Sequence, residues 1–501
     1  MTSLLGGLAD AALERLGDYP FTSYDGVEHS LSSLVERAAR AAGGLADSGV
    51  QPGDRLGVVM DNSPDVLVAY LAIWRVGAVA MPVIPAVTAP ELAHVLHDSG
   101  ATTVFGSPAT LSLIRAAAAG SAVQVVSAGD GAGDVSLADL ESASPLPVAS
   151  RANDELAALL YTGGTTGRAK GVMLSHQNLW STAAARQHVV EQAGTTSVLV
   201  PLPMSHVFGL INAVSRLHVS RPGVLHLMGR FDPALWVDTI ERERIAASAL
   251  VPSMLQLLLA QPLEERDLSC LTYVTSGGAP LALAVRSAFE QRVPTARVCD
   301  GYGCTEITST ATMNPPDARR ANTVGTALPG VRLRIEGADG AELPVGQDGE
   351  VCVASPGVMA GYWRDPAATA TVIVDGWLHT GDVGHVDDDG YLYVVDRIKD
   401  LIIRGGFNVY PRDVEDVLLE HPDVVAAAVV GRPDAMLGEE VVAYVEVSAA
   451  VPARDLLAFA AARLAKTKQP REVHVVERVP LTSVGKTDRK AVRRLLGEQL
   501  P

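Results

Sequence analysis

Short apolar runs alternate with longer amphipathic runs through the first two thirds of the chain. RLGVVM (55–60) precedes PDVLVAYLAIWRVG (64–77), and AVAMPVI (78–84) precedes ELAHVLHDSG (91–100). The short runs predict buried strands, and the longer runs predict helices. Strands that alternate with helices of this length are typical of parallel sheets covered by helices. The pattern therefore predicts an α/β fold for this part of the chain.

The pattern changes further along the chain. After Thr326, short β-rich runs are separated by DG, DDDG and PG turns, which predicts antiparallel hairpins in a small, β-barrel-like subdomain. From Lys399 onward, strand-like and helix-like runs predict a compact α+β unit. We therefore predict a large domain over residues 1–398, with the β subdomain at about 326–398, and a second domain over 399–501. Residues 120–153 are rich in Ser, Ala, Gly and Asp, which predicts an irregular surface segment.

Composition and charge exclude several classes of protein. The chain has 501 residues, 48% of them hydrophobic, which is enough for several buried cores. Its formal net charge of −17 opposes binding to nucleic acid or anionic lipid, so neither partner is expected. The four cysteines lack the spacing of a zinc site or a disulfide framework. Neither a secretory signal nor a membrane span is predicted, which favours a cytoplasmic protein.

One stretch rich in glycine and threonine, YTGGTTGRAKGVMLSH (161–176), follows a short apolar run and contains a lysine. A turn of this composition after a strand presents backbone amides and hydroxyls to an anion, and the lysine adds a mobile cation. The stretch is therefore a candidate phosphate-binding loop, with a flexible linker as the alternative. It is not a Walker A loop, because Lys170 is followed by Gly171 instead of Ser or Thr.

Five further stretches place glycine beside a few polar or charged residues. They are SGGAP (276–280), DGYGCTE (300–306), GWLHTGDVG (376–384), DRIKDLIIRGGFNVYP (396–411) and VGKTDRK (484–490). Each alone could be an ordinary turn, but the set in this order and spacing is specific. The chain resembles the superfamily of acyl-CoA synthetases, nonribosomal-peptide adenylation domains and beetle luciferases over almost its whole length. Within that superfamily it is most similar to the fatty-acid and 4-coumarate-type CoA ligases.

The resemblance implies two half-reactions. A carboxylate attacks the α-phosphate of Mg-ATP to give an acyl-adenylate and pyrophosphate, and the thiol of CoA then displaces AMP. It also implies a large N-terminal domain of helix-flanked sheets and a small, mobile C-terminal domain. ATP, Mg²⁺ and CoA are the expected cofactors, and a small carboxylic acid is the expected substrate.

The same resemblance assigns the nucleotide contacts. The phosphates would lie in the loop, against Thr162, Gly163, Gly164, Thr165, Thr166, Gly167 and Lys170. Adenine would stack on Tyr302 inside a backbone frame formed by Gly277, Gly278, Ala279, Pro280, Asp300 and Gly301. Asp382 would accept the ribose hydroxyls, and Arg397 would reach the ribose or a phosphate. The alternatives for these two residues are a turn aspartate and a surface ion pair.

The resemblance also assigns residues to catalysis of adenylation and to the domain rotation between the half-reactions. Thr305 would contact the α-phosphate, and Glu306 would hold Mg²⁺, which favours carboxylate oxygens. Lys486 would stabilise the charge that develops during adenylation alone, with a solvated basic tail as the alternative. Lys399 matches the hinge about which the C-terminal domain rotates between the half-reactions. His206 matches a position beside the acyl pocket, with a structural histidine as the alternative.

The acyl tail would lie against Phe208, Gly209, Met254, Gly277 and Cys304. Amino-acid-activating relatives carry an aspartate where this chain has Gly209, and a buried ammonium without such a partner is costly. Some dicarboxylate-activating relatives carry a basic residue where this chain has Gly301. We therefore expect a neutral aliphatic or aryl tail, preferred over α-amino acids and malonate-like diacids. We also expect Gly209→Asp to damage activity by burying an uncompensated charge.

The sequence leaves alternatives to a CoA ligase open. The activated acyl group could pass to the phosphopantetheine arm of a carrier protein, or the same activation could act on another oxyanion such as nitrite. No carrier domain is predicted within this chain. A non-catalytic nucleotide-binding relative is disfavoured, because Lys170, Lys486 and Glu306 are all present.

Overall fold

A computed structural model of the protein describes residues 5–131, 133–162, 169–482 and 487–498. Its helices in chain order are α1 (Leu8–Leu16), α2 (Leu31–Asp47), α3 (Pro64–Arg75), α4 (Ala89–Ser99), α5 (Leu111–Ala117), α6 (Leu137–Glu141), α7 (His176–Glu191), α8 (Val207–Ser215), α9 (Pro233–Arg242), α10 (Pro252–Leu259), α11 (Leu283–Arg292), α12 (Pro366–Val372), α13 (Pro411–Leu419), α14 (Ala453–Ala461) and α15 (Arg489–Glu498). None of these described helices is long and apolar enough to cross a membrane.

The strands are shorter and more numerous than the helices. In chain order they are β1 (Pro20–Tyr24), β2 (Val27–Ser30), β3 (Arg55–Val59), β4 (Val79–Pro82), β5 (Thr103–Gly106), β6 (Gln124–Ser127), β7 (Val135–Ser136), β8 (Leu156–Thr162), β9 (Lys170–Ser175), β10 (Val198–Val200), β11 (Leu225–Leu227), β12 (Ala247–Leu250), β13 (Tyr273–Ser276), β14 (Arg297–Tyr302), β15 (Thr312–Met313), β16 (Thr326–Ala327), β17 (Arg332–Glu336), β18 (Gly349–Ala354), β19 (Gly361–Tyr362), β20 (Ile373–Val374), β21 (Trp377–Val386), β22 (Leu392–Arg397), β23 (Ile402–Arg404), β24 (Phe407–Val409), β25 (Val424–Asp434), β26 (Gly438–Val447) and β27 (Glu472–Val476).

Two large sheets carry most of the parallel pairing. The first has the order β19-β9-β8-β4-β3-β5-β6-β7, and the second has the order β16-β15-β14-β13-β12-β10-β11-β1-β2. In the first sheet β4, β3, β5 and β6 are parallel, while β8 and β9 form an antiparallel pair. In the second sheet the run from β14 through β1 is parallel. The predicted α/β class is confirmed.

Helix α3 is hydrogen-bonded to β8 of the first large sheet and to the segment that follows β10 of the second. Pro64 occupies its first turn, where a missing backbone donor costs nothing. Tyr70 donates its hydroxyl to the carbonyl of Met204 at 3.0 Å, and the Trp74 indole donates to the carbonyl of Ala157 at 3.0 Å. Every residue from Val66 to Trp74 is buried, as the continuous apolar run in the sequence requires. The helix therefore belongs to the core, and its burial accounts for its apolar composition.

Residues 120–153 are more ordered than the sequence predicts. They contain β6, β7 and the short helix α6, which Ser136 and Asp139 cap reciprocally. β6 pairs with β5 and buries Val125 and Val126. The prediction of an irregular segment is wrong here, because a four-residue strand shows no measurable periodicity and its pairing partner is remote in sequence.

Two smaller sheets complete the fold. The third sheet, formed by β17, β18, β20, β21 and β22, is antiparallel, as the turns after Thr326 predict. The fourth contains β23 to β27 and is flanked by α13, α14 and α15. A single 3₁₀ turn, Ile398–Asp400, connects the third sheet to the fourth. The domain boundaries at 398 and 399 remain predictions.

Candidate active site

Asp382 joins the second sheet to the third. It lies in β21 opposite Arg397 in β22, and its side chain is 9% exposed. The Tyr302 hydroxyl, from the end of β14, donates to Asp382 Oδ2 at 2.6 Å, and Arg397 Nε donates to Asp382 Oδ1 at 3.1 Å. Burial raises the pKa of Tyr302, and Asp382 raises it further, so the phenol remains a donor. Three residues assigned to the nucleotide by resemblance are thus brought together.

A second group of polar side chains lies just after Tyr302. Glu306 belongs to a 3₁₀ turn, Thr305–Ile307, and its Oε1 accepts a hydrogen bond from the Tyr362 hydroxyl at 3.0 Å. Lys170 Nζ lies 5.0 Å from the centroid of the Tyr362 ring and 3.7 Å from Asp365 Oδ2. Tyr362 therefore links the predicted metal ligand to the predicted phosphate-binding lysine. Tyr362 and Asp365 were not predicted from the sequence, although both lie in GYWRDP (361–366), where glycine stands beside aromatic and charged residues.

Cys304 lies between these two groups. Burial raises the pKa of its thiol well above the usual range, and the Glu306 and Asp382 carboxylates raise it further. The thiol therefore stays protonated at neutral pH and packs as a small apolar group against the main core. This arrangement fits the predicted role of Cys304 as a wall of the acyl pocket.

The predicted adenine frame borders a cavity. The cavity is lined by Ser276, Ala279, Pro280, Asp300, Gly301 and Arg412, among other residues. Asp300 forms a buried ion pair with Arg286 through Oδ2, while its Oδ1 has no hydrogen-bond partner among the described residues. Burial raises the pKa of Asp300, and the Arg286 guanidinium limits the rise. Arg412, which belongs to α13 of the predicted C-terminal domain, was not anticipated from the sequence.

His206 caps a helix. Its Nδ1 accepts a hydrogen bond from the backbone amide of Phe208 at 3.2 Å at the N-terminus of α8. An acceptor at Nδ1 requires a neutral ring with its proton on Nε2. The geometry supports the structural alternative for His206 and also fixes the turn that presents Phe208, so its assignment to the chemistry remains a prediction.

The phenyl ring of Phe208 faces Gly277. A Cβ placed on Gly277 would lie 3.4 Å from Phe208 Cζ and 3.4 Å from the carbonyl oxygen of Gly301. Met254, another predicted pocket residue, is half-buried and contacts two of the apolar cores. Phe208 and Gly277, two residues of the predicted acyl pocket, are therefore neighbours, and the Gly301 carbonyl of the predicted adenine frame adjoins them.

The structure gives a steric reason for the glycine at position 209, which the sequence had linked to the substrate. A Cβ at this position would lie 2.1 Å from the carbonyl oxygen of Pro203, closer than any real contact. The glycine is therefore required by the approach of α8 to the preceding backbone, whatever the substrate. The lack of an aspartate at this position is therefore only weak evidence against an α-amino acid substrate.

Several predicted residues cannot be placed or stay predictions. Gly163, Gly164, Thr165, Thr166, Gly167 and Lys486 lie outside the described residues. Thr162 and Lys170, which flank the loop, pair with each other across β8 and β9. Gly278 has a φ of +82°, which glycine tolerates best. Lys399 lies in the connecting turn, where burial and the neighbouring Arg397 lower its pKa; its role as a hinge remains a prediction.

These features define the class of protein. A helix-flanked α/β body brings together the Asp382 carboxylate within β21, the Tyr302 hydroxyl at the end of β14 and the Glu306 carboxylate in the 3₁₀ turn that follows. The chain belongs to the AMP-binding enzyme family. Residues 9–363 match the AMP-binding enzyme family, and residues 413–486 match the family of AMP-binding enzyme C-terminal domains.

Curated relatives and solved structures agree with this assignment. The chain is 37% identical over 480 residues to a feruloyl-CoA synthase from an Amycolatopsis species, covering 95% of each protein. It is 33% identical over 489 residues to the fatty acid–[acyl-carrier-protein] ligase ScoC from Streptomyces coeruleorubidus, covering 95% of this chain and 93% of that protein. ATP-bound MatB from Rhodopseudomonas palustris matches with a TM-score of 0.89 and 34% identity over 99% of each chain. The predicted family and the predicted class, an AMP-forming acid–thiol ligase that uses ATP and CoA, are confirmed.

The close contact at Gly209 gives a prediction about stability. Gly209→Ala should lower the free energy of unfolding by about 2 kcal/mol or more, because its methyl group overlaps the carbonyl of Pro203. Gly277→Ala is the matched control, since its methyl group makes only ordinary contacts with Phe208 and should cost much less. Thermal unfolding of both variants provides the measurement. If Gly209→Ala were as stable as Gly277→Ala while Gly209→Asp unfolded, charge and not space would be the reason for the glycine.

Proposed function

We propose that this protein activates a carboxylic acid with a neutral aliphatic or aryl tail, using Mg-ATP, and transfers the acyl group to the thiol of CoA. The convergence of Tyr302, Asp382 and Arg397 beside Glu306 is the observation that carries the proposal. These residues come from separate sheets and meet where the family resemblance assigns the nucleotide. The reaction class follows from family membership, while the tail, the metal and the residue roles are the proposed part.

Asp382 has the free acceptor capacity that a ribose needs. An ionised carboxylate offers about four lone-pair sites, and Tyr302 and Arg397 use one site on each oxygen. The remaining sites can accept both hydroxyls of the ribose. Because the two donors come from different strands, they also fix the orientation of the carboxylate before the nucleotide binds.

Glu306 and Lys170 are suited to bind Mg-ATP, Glu306 through the Mg²⁺ ion and Lys170 through a phosphate. A carboxylate oxygen suits Mg²⁺, which in such sites is shared between protein carboxylates and substrate phosphates. The Tyr362 hydroxyl holds Glu306 in position, and the Lys170 ammonium lies over the Tyr362 ring. Bound Mg²⁺ would neutralise part of the phosphate charge. In this proposal Thr305 contacts the α-phosphate and Lys486 stabilises the charge that develops as the substrate carboxylate displaces pyrophosphate.

The neighbourhood of Phe208 and Gly277 suits an uncharged group. Cys304 is a protonated thiol and Phe208 is apolar. A Cβ at Gly301 would lie 3.1 Å from the carbonyl of Thr312, so this position has little room for the basic side chain of a diacid-activating site. A charge on the substrate near its reacting carboxylate would therefore be buried without a partner.

A carrier protein is the second candidate acceptor. The observation that favours it is the similarity to ScoC, which is named for an acyl carrier protein. The similarity to a feruloyl-CoA synthase is higher in identity, and it favours CoA.

A panel of acids tests the proposed substrate. Neutral monocarboxylates should exceed α-amino acids and malonate-like diacids in kcat/KM by a factor of roughly one hundred or more, because a charged tail would be desolvated without a partner. ATP–pyrophosphate exchange measures the first step, and thioester formation with CoA or with a phosphopantetheinylated carrier protein measures the second. An amino acid or a short diacid that matched the best neutral acid would contradict the proposed pocket, and faster transfer to the carrier protein would select the second acceptor.

Glu306→Gln tests the metal ligand. The amide keeps the shape of the side chain but loses the charge that attracts Mg²⁺, so half-saturation should require a higher Mg²⁺ concentration. The exchange rate is measured against Mg²⁺ concentration for wild type, Glu306→Gln and the exposed control Glu14→Gln. An unchanged Mg²⁺ dependence in Glu306→Gln would remove Glu306 from the metal site.

Lys486→Ala tests whether Lys486 acts in adenylation but not in thioester formation. Loss of one aimed charge should slow adenylation by a factor on the order of one hundred to one thousand, while thioester formation from supplied acyl-adenylate continues. Lys490→Ala removes an exposed lysine from the same basic segment and serves as the control. An equal loss in both half-reactions, or in both variants, would show that Lys486 has no specific role in adenylation.

A further inference from the structure

Three side chains with metal-binding atoms meet on the third sheet. They are Glu336 in β17, Cys352 in β18 and His379 in β21. A carboxylate oxygen, a sulfur and an imidazole nitrogen from these residues all lie within 4.8 Å of one another. No other trio of His, Cys, Asp or Glu side chains in the described part of the chain comes as close together. The family resemblance assigns no role to any of the three.

The pairing of the strands explains why these residues meet. Cys352 lies opposite His379 across β18 and β21. Glu336 lies opposite Glu350 across β17 and β18. Glu350 and Cys352 are two apart on β18, so they point to the same face of the sheet. Because the three side chains come from three strands, the spacing of the cysteines along the chain could not indicate a metal site.

Both nitrogens of the His379 ring lie beside a carboxylate. Nδ1 is 3.0 Å from Glu350 Oε2, and Nε2 is 3.8 Å from Glu336 Oε2. Whichever nitrogen binds a metal ion, the other can donate its proton to a carboxylate, as histidine ligands of metals almost always do. Cys352 Sγ packs against the same ring, 3.5 Å from Nδ1. The ring is therefore held in place before any ion binds.

The charges of the group favour a divalent cation. Glu336 is buried and forms an ion pair with Arg334 through Oε1. Glu350 has no Lys or Arg partner among the described residues, so two carboxylates share one arginine. Burial raises the pKa of the Cys352 thiol to about 12, and both carboxylates contribute to the rise. A divalent ion that displaces the thiol proton into solvent would balance the two carboxylates, the thiolate and Arg334.

We propose that Glu336, Cys352 and His379 form a binding site for a divalent transition-metal ion such as Zn²⁺. Sulfur, imidazole nitrogen and carboxylate oxygen are ligands that Zn²⁺ favours, whereas Mg²⁺ and Ca²⁺ select oxygen alone. Three protein ligands leave a fourth position for Glu350 or a water molecule. The site is separate from the Mg²⁺ site proposed at Glu306.

The site lies beside the segment that presents Asp382. His379 precedes Asp382 by three residues on β21. Between them, Thr380 donates its hydroxyl to the carbonyl of Val351 at 2.7 Å, and the amide of Gly381 donates to Glu350 Oε1 at 2.9 Å. A metal ion bound across β17, β18 and β21 would therefore stabilise this part of the third sheet. Its expected role is structural.

Titration with Co²⁺ tests the inference directly. Co²⁺ binds the same nitrogen and sulfur ligands as Zn²⁺, and a thiolate bound to it gives a charge-transfer band in the near ultraviolet. The full-length protein is treated with a chelator and titrated with Co²⁺ in the absence of ATP. We expect about one equivalent of Co²⁺ to produce the thiolate band, and Zn²⁺ to displace it. Excess Mg²⁺ should not displace it, because Mg²⁺ avoids thiolates.

Three variants locate the ion. Cys352→Ala should abolish the thiolate band. Glu336→Gln keeps the shape of the side chain and should weaken Co²⁺ binding by roughly tenfold or more, because it removes a charged ligand; it also tests the site if Cys352→Ala fails to fold. Cys304→Ala is the matched control, since it removes the thiol that lies next to Glu306, and it should keep the band.

Thermal unfolding provides a second readout. Zn²⁺ that binds the folded protein should raise the Tm of the chelator-treated wild type by a few degrees, and the rise should be smaller in Glu336→Gln. The inference is wrong if the wild type gives no thiolate band, if the band survives in Cys352→Ala, or if Cys304→Ala removes it instead. In each of these cases the three side chains form only a hydrogen-bonded group around His379. None of these readouts depends on the proposed substrate.

Discussion

The hydrogen bonds to Asp382 are the interaction on which the candidate site depends. One donor, Tyr302, ends a strand of the second sheet, and the other, Arg397, ends a strand of the third sheet just before the turn that leads to the C-terminal region. The carboxylate therefore fixes the position of two sheets relative to each other at the place where the nucleotide would bind. The turn that contains Lys399, the predicted hinge, begins directly after Arg397 and so lies next to this contact.

Close packing and a buried charge are two different constraints on the residues of the large domain. At Gly209 and Gly301, backbone atoms leave little or no room for a side chain, so these glycines reflect space before they reflect substrate. At Arg186, a large charged side chain is buried despite a desolvation cost that a neutral residue would avoid. A glycine that packing demands says little about function, whereas a buried cation that packing does not demand says more.

Some residues of the candidate site are not recognisable from the sequence alone. Tyr362 connects Glu306 to Lys170, and Arg412 reaches the predicted adenine frame from α13. Neither residue stands out by composition, because a tyrosine or an arginine in a polar stretch has many possible roles. Their roles follow from distances between elements that are up to two hundred residues apart in the chain.

The sequence by itself determined the class and the order of the elements, and it assigned the candidate nucleotide-binding residues, which remain predictions. Strand and helix periodicities are local properties, and the glycine-rich stretches are specific because their order and spacing are read directly from the chain. The tertiary structure alone decided that His206 caps α8, that Gly209 contacts Pro203, and that β6 is a strand. It also decided that Arg186, Asn212 and Thr275 line one cavity. These features could not be predicted because burial, close approach and hydrogen-bond partnership depend on which remote residues the fold brings together.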